Sequence, residues 1–328
     1  MSFVPAAFTS PIVTPGTQAG TAVRSASYIS PSQYRFAPTA VGTQALVAGS
    51  TDQAADSLAS LARVIARASA WIDEHCFHRS DGTLAASVST EWDWARVKPD
   101  GSVALVCNFA PVIAVTGVGV GPNPSGAQDI DQATANDISV HGKVIELPGS
   151  WAQGSTRGFF GNWPSVNGSV YAVWSYVNGW PHATLADACA AGATSLSLTP
   201  AVAGTASVDG IFAGTALTIH DRASTETVVA ASPPSGGSLA LSSPTLYAHT
   251  PPGAPDSVTV SAIPPAVEQA CVLLTSFLVK TQGTRAMDLP RLGSASTSQK
   301  ERFARAGALD DFDTAARLLK PYVTVYLH

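Results

Sequence analysis

Residues 51–77, TDQAADSLASLARVIARASAWIDEHCF, form the longest stretch of the chain with a helical period. Leu58, Leu61, Ile65, Ala68, Ile72 and Cys76 recur at steps of three and four, which stacks them on one stripe. Asp56, Arg63, Arg67 and Glu74 fall largely off that stripe. Ser50 or Thr51 supplies a cap, and Asp52 adds negative charge where the helix dipole favours it. Ala55, Ala62, Ala66 and Ser69 are small enough to let a second element come close. One amphipathic helix cannot bury its own stripe, so a partner must come from elsewhere in the chain.

That partner is expected after Pro264-Pro265. In AVEQACVLLTSFLVKTQG, Val267, Ala270, Cys271, Leu274, Phe277 and Leu278 form a stripe, and Gly283 ends the helix. A third, short helix is expected in LDDFDTAARLLKPY. Asp310, Asp311 and Asp313 open it, Arg317 and Lys320 close it, and Pro321 stops it, an order that matches the dipole.

Between the first two helices the sequence reads as strands. The segment VKPDGSVALV signals a hairpin at Lys98–Gly101, and ISVHGKVIELPG signals another at His141-Gly142. In GSVYAVWSYVNGWP apolar or aromatic residues fill both faces, which predicts a central strand. Residues 183–262 carry short alternating runs with Gly- or Pro-rich breaks, which predicts a small sandwich or barrel. Residues 1–50 hold Pro5, Pro11, Pro15, Pro31 and Pro38, a density that predicts an extended arm with at best a strand or turn near 28–36. The expected fold class is therefore α+β. A small helical-bundle hub (51–77, 264–283 and 309–321) carries a β-rich block (82–180) and an inserted β-sandwich or barrel (183–262), with a tail at 324–328.

Composition bounds the function. Charged residues make up only 12% and the formal net charge is −5, which argues against a chain coated in nucleic acid. A weakly charged surface suits one covered by partners. Cys76, Cys107, Cys189 and Cys271 are far apart and include no CxxC pair, so neither a zinc site nor a disulfide framework is expected. The opening MSFVPAAFTSPIVTPG lacks the pattern of a secretory signal, and no apolar run is long enough to span a membrane. Assembly in a reducing cytoplasm is expected.

Little in the sequence points to catalysis. The nucleophile elbow GxSxG is absent. Residues 117–126, GVGVGPNPSG, lack the GK[ST] ending of a phosphate loop and read as a turn. His75, Cys76 and His78 lie close together at a helix end but have no second ligand pair. Asp129, Asp131 and Asp137 lack the glycine and terminal glutamate of a calcium loop. His220, Asp221 and Glu226 read as a strand–turn–strand with solvated acids. The seven tryptophans suit core or interface filling better than a sugar cleft. No enzymatic activity, cofactor or metal is expected.

Three stretches (28–46 with 61–77; 176–199 with 214–221, 225–229 and 241–258; 264–283 with 315–322) together resemble the head-to-tail adaptor (connector, or head-completion) proteins of long-tailed double-stranded DNA bacteriophages, and are similar to adaptors of phages of actinobacteria. The first is YISPSQYRFAPTAVGTQAL followed by LARVIARASAWIDEHCF. The second is YVNGWPHATLADACAAGATSLSLT with GTALTIHD, TETVV and LSSPTLYAHTPPGAPDSV, which resembles the β insert of many such adaptors. The third is PPAVEQACVLLTSFLVKTQG followed by AARLLKPY, similar to the closing helix pair. Residues 81–165 are similar only as a generic β block, and the chain is long for the family.

The resemblance implies a virion protein with an adaptor core at 51–182 and 263–323. It implies a homo-oligomeric ring, commonly dodecameric, between the portal and the stopper or tail-completion protein. DNA would pass through its channel without sequence-specific binding. By the same analogy the portal contact is expected at Leu309, Phe312, Leu319, Tyr322, Val323 and Tyr326, and a subunit or channel face at Arg63 and Arg67. The alternative kept beside it is a carbohydrate-binding or receptor-binding β-rich phage tail or surface protein.

Overall fold

The helix at Pro265–Lys280 is apolar round its whole circumference rather than along one stripe. Val267, Ala270, Cys271, Leu274 and Phe277 are buried, but so are Val272, Leu273, Thr275, Ser276 and Val279. A helix of that kind is stable only with neighbours on every side. The computed structural model describes residues 27–43, 53–77, 82–130, 136–149, 168–200, 210–222, 224–281 and 309–323. Among them are four α-helices: α1 (Pro31–Phe36), α2 (Gln53–Phe77), α3 (Pro265–Lys280) and α4 (Leu309–Leu319).

Among the described residues these are outnumbered by thirteen strands in three antiparallel sheets, so the described structure is mostly β. The expected α+β class built on a helical-bundle hub does not hold. The three long helices do touch, but strand pairing organises most of the chain. Periodicity draws attention to long helices, whereas short strands of three to six residues carry weak signals individually. The contacts divide the described residues into two units, one within 86–180 and the other within 22–85 and 181–328.

In the larger unit α3 is the central helix. Ser69 of α2 meets Cys271 at 3.6 Å, and the α2 residues Leu61, Ile65, Ala68, Ile72 and Cys76 have no exposed surface. The helix α4 lies against both: Phe312 packs edge-on to Trp71 (5.1 Å between ring centroids) and tilted against Phe277 (5.2 Å). Lys280 and Asp311 close the contact with an ion pair at 2.7 Å.

Residues 27–43 lie within the stretch expected as an extended arm. They form α1 and bring Tyr28, Ile29 and Tyr34 fully into the core. Proline here starts a helix instead of preventing one. Pro31 sits in the first turn, where its missing N–H is not needed. Ser30 caps it, accepting from Gln33 N–H at 3.1 Å while Gln33 Oε1 accepts from Ser30 N–H at 3.4 Å.

The same unit holds the β insert. Its strands are β8 (His182–Leu185), β9 (Ser195–Pro200), β10 (Ala216–His220), β11 (Glu226–Val229), β12 (Ser238–Ala240) and β13 (Thr259–Ser261), in the order β11-β10-β13-β8-β9-β12. The sheet curls until its first and last strands meet at an Ala230–Leu241 bridge, where Ala231 N–H donates to Ala240 O and Ser242 N–H to Val229 O. The alternate residues turned inward, including Leu185, Leu196, Leu198, Leu217, Ile219, Leu239 and Val260, fill the interior. The Ala230–Leu241 bridge covers one end of two edges that would otherwise be open to other chains.

The smaller unit is built from β1 (Ser87–Arg96), β2 (Val103–Val106), β3 (Val112–Gly121), β4 (Gln128–Asp129), β5 (Ser139–His141), β6 (Val144–Leu147) and β7 (Ser169–Asn178). One sheet runs β1-β7-β3-β4 and the other β2-β6-β5. The strand β7 lies between β1 and β3 with every residue from Val170 to Asn178 buried, as its two apolar faces predict. The second expected hairpin forms, with β5 and β6 paired across His141-Gly142; the first is a turn closed by a single bridge, Val97–Val103, after which β2 joins the other sheet. At the first, Gly101 N–H donates to Lys98 O at 2.9 Å and Gly101 takes φ +82°, a conformation that favours glycine. The glycine-rich run ending at Gly121 is strand followed by a turn that doubles back. A Cβ on Gly121 would lie 2.5 Å from Ala127 Cα, so close approach explains that glycine without a phosphate.

Candidate functional site

The buried polar groups form two clusters in the larger unit. The first is knotted around Tyr28. Its hydroxyl donates to the Asp73 carboxylate, and Leu84 N–H donates to both Tyr28 Oη (2.9 Å) and Asp73 Oδ1 (3.0 Å). Thr83 Oγ1 lies 3.1 Å from the same hydroxyl, and Tyr28 N–H donates to Ser69 Oγ. Burial and then the Asp73 charge push the Tyr28 phenol well above its ordinary range, so it stays a donor. His182 adjoins this knot. Its Nε2–H donates to Ser27 O, and its Nδ1 accepts from the Ser261 hydroxyl, each at 2.9 Å. Burial holds its pKa below the usual histidine range, in keeping with a neutral ring. The knot ties α2, the segment before α1 and the barrel strands β8 and β13 together.

The second cluster straps a loop to the barrel. His249 is fully buried, with Nε2 at 2.7 Å from Glu226 Oε1 and Nδ1 at 3.3 Å from Asp221 Oδ2. Glu226 also accepts from Leu246 N–H (2.7 Å) and Tyr247 N–H (3.2 Å). Burial pushes the Glu226 carboxyl up, but the bonds from Leu246, His249 and Tyr247 outweigh it and hold the pKa below the usual value. The strap leaves Leu246 and Tyr247 exposed on its outer side. The reading of Glu226 as a solvated acid is therefore corrected: it is 7% exposed and fixes the backbone of residues 246–249. A histidine so enclosed offers no surface to a substrate. His220, on β10, reaches α3 instead, with Nε2 at 3.1 Å from Glu268.

The three buried thiols are not poised to react. Burial pushes Cys107 and Cys271 up to about 12, and pushes Cys76 up further. Among the described residues, no three His, Cys, Asp or Glu side chains are placed to hold a metal ion. His75 stacks on Trp71 at 4.8 Å, Cys76 is buried, and His78 lies outside the described residues. Asp129 and Asp137 are exposed, and Asp131 lies outside the described residues.

The residues expected to contact the portal separate. Phe312 (4% exposed) and Leu319 (0%) are occupied inside the unit, together with Ala315 and Ala316. Tyr322 and Val323 are half-buried, while the Leu309 side chain and Tyr326 lie outside the described residues. The exposed side of α4 carries Asp310, Asp313 and Arg317, followed by Lys320. Arg63 and Arg67 do share an exposed face of α2, continued by Ala70 and Glu74.

Reading the sequence alone missed the exposed aromatic face of the smaller unit. Val88, Trp92 and Trp94 on β1 are each about half exposed, and Tyr171 packs against both tryptophans at 6.1 and 5.7 Å between centroids. The alternation in SVSTEWDW was the signal, since Val88, Thr90, Trp92 and Trp94 fall on one face. Comparison with protein-family models, curated proteins and solved structures finds no match.

Proposed function

We propose that this chain is a structural virion protein, a head-to-tail adaptor that forms a ring between the portal and the tail or stopper proteins. One observation supports the reading beyond the sequence resemblance itself. The described residues of the stretches that carry the resemblance, apart from residues 176–180, all belong to one contact unit, within 22–85 and 181–328. The part recognised only as a generic β block is, in the main, the other unit. A resemblance spread over 28–323 thus reduces to one folded body plus an added β unit, which accounts for the chain's length.

In this reading the exposed stripe Arg63, Arg67, Ala70 and Glu74 is the face for a neighbouring subunit or the channel wall. The portal contact shifts from the apolar stripe of α4, which the core uses, to its polar side with Asp310, Asp313, Arg317 and Lys320, and to the chain beyond Tyr322. The buried clusters are scaffolding. DNA passes without base readout, as a chain of net charge −5 favours no tight phosphate grip.

The test is electron microscopy and mass photometry of the purified protein, alone and with portal-bearing capsids. Rings of uniform subunit number and retention on those capsids are expected. A protein that never exceeds a pair of chains and does not sediment with portal-bearing capsids overturns the reading. A second reading, a carbohydrate-binding surface protein, is favoured by the exposed Trp92–Tyr171–Trp94 face alone. Binding to a glycan array at that face would select it.

A further inference from the structure

The strand β1 has one paired side and one open side. Val97 N–H donates to Gly168 O at 2.7 Å, and the ladder steps by two from there. Ala95, Asp93, Glu91, Ser89 and Ser87 therefore turn their N–H and C=O groups toward β7, while Trp94, Trp92, Thr90 and Val88 turn theirs outward. Trp94 N–H is answered only by the neighbouring Asp93 carboxylate, at 2.7 Å. Next to β1, β2 makes one bridge, Val97–Val103, and then leaves to pair with β6. Among the described residues no strand pairs with this outer edge from Val88 to Trp94.

Proline, lysine and a bulge, three usual safeguards of an open edge, are missing. The run Ser87–Trp94 holds no proline and no lysine, and its register with β7 is unbroken. Its outward residues also carry the exposed apolar side chains Val88, Trp92 and Trp94. Such an edge is built to take another strand.

We propose that the occupant is β1 of a second copy of this chain, paired antiparallel about a two-fold axis at Thr90. The apolar and threonine residues of β1 suit a second β1, and its acids select the register. Only outward residues can bond across the new seam, so the registers differ by steps of two. Centring the axis at Glu91 sets Glu91 opposite the partner's Glu91. The next register sets Glu91 opposite the partner's Asp93, and the one after sets Asp93 opposite the partner's Asp93. Like charges facing across a ladder are unfavourable. Moving further along needs Val97, which Val103 already holds.

Of the registers that keep the acids apart, centring on Thr90 pairs the longest run. It places Val88 against the partner's Trp92, Ser89 against the partner's Glu91 and Ser87 against the partner's Asp93, with the two threonines side by side. Aromatic against β-branched and threonine against threonine are favourable cross-strand pairs. The two Glu91 carboxylates lie diagonally, each already answered by Tyr176 Oη–H and Asn108 N–H. The contact joins the smaller unit of two chains into one continuous sheet. It does not rest on the adaptor reading, since a two-fold contact closes on itself and a ring needs a second, heterologous surface.

Single-cysteine reporters read the register. Thr90→Cys puts two thiols on the axis, with Cα atoms about 5.5 Å apart, inside the range a disulfide spans. Under mild oxidation the full chain is expected to cross-link to a dimer in non-reducing gels. Trp92→Cys separates its own copies by about 13 Å along the strands, and is expected to stay uncross-linked. Thr90→Pro removes only an outward N–H and leaves the ladder to β7 intact. Each chain loses one bond and the axis counts it twice, so association should weaken by about twenty-five-fold. Trp92→Lys is the second variant, acting through the side chain, and unchanged circular dichroism confirms that either variant folds. Three results overturn the proposal: a wild-type chain that stays monomeric to about 100 μM, cross-linking at position 92 rather than 90, or association indifferent to both edge variants. Glycan binding at Trp92 by a monomer would fall under the first.

Discussion

Phe312 separates what the sequence predicts from what the fold does with it. By resemblance it belongs to a surface that meets the portal. In the structure it is 4% exposed and wedged between Trp71 and Phe277. Phe312→Ala therefore opens a cavity at the junction of α2, α3 and α4. Truncating a buried phenylalanine costs about 3–5 kcal/mol, and the two aromatic contacts put this site in the upper half of that range. For a unit of this size each kcal/mol moves the unfolding midpoint by about 2–4 °C, so a fall of roughly 8–20 °C is expected.

The assay is thermal or urea unfolding followed by circular dichroism and tryptophan fluorescence. Two units are expected to give two transitions, so each is fitted separately. Only the transition of the larger unit should move. Trp71, stacked on His75 and touching Phe312, reports it directly. A midpoint shift below about 2 °C with the spectrum unchanged would refute the packing, because a side chain at a free surface costs about 0.5 kcal/mol or less. Loss of portal binding without loss of stability would return Phe312 to the surface role.

Other consequences are as direct. The Glu226 carboxyl is held below its unfolded value of 4.5, so it stabilises the fold above that pH and the contribution fades as pH falls through the lower, folded value. Wild-type midpoints should therefore drop faster below pH 4.5 than those of Glu226→Gln, while at pH 7 the variant is the less stable; parallel acid profiles would contradict the strap. Cys107 and Cys271, pushed up to about 12, should resist a disulfide-exchange reagent at pH 8 until the chain unfolds, with half-buried Cys189 reacting first. Immediate labelling of all four thiols would count against the buried cores. Gly121→Ala drives a Cβ to 2.5 Å from the Ala127 backbone, and should cost about 1–3 kcal/mol, read as a lower midpoint of the smaller unit alone. A neutral effect would mean that the Pro122–Ala127 turn moves freely.

Local signals in the sequence were enough for the individual elements. The stripe of α2 is buried at Leu61, Ile65, Ala68, Ile72 and Cys76, because a period of 3.6 leaves no other face for them. Lys98–Gly101 and His141-Gly142 turn where their residue types require, and β7 is central because a strand apolar on both faces must be covered on both. The alternation in β1 was written there too, although not that no strand among the described residues pairs with its outer edge.

Tertiary structure decided the rest, since it depends on which surfaces meet. The segment at 27–43 looked like an arm because proline opposes helix in mid-element; a Ser30 cap and the pocket for Tyr28 and Tyr34 turned the same residues into core. Glu226 and His249 are separated by more than twenty residues, and only closure of the barrel brings them within 2.7 Å. The apolar stripe of α4 looked available to a partner, and α3 took it. A periodic pattern shows that a face must be buried, while the identity of its cover is set by contacts distant in sequence, and those also placed the class of this chain with the β proteins.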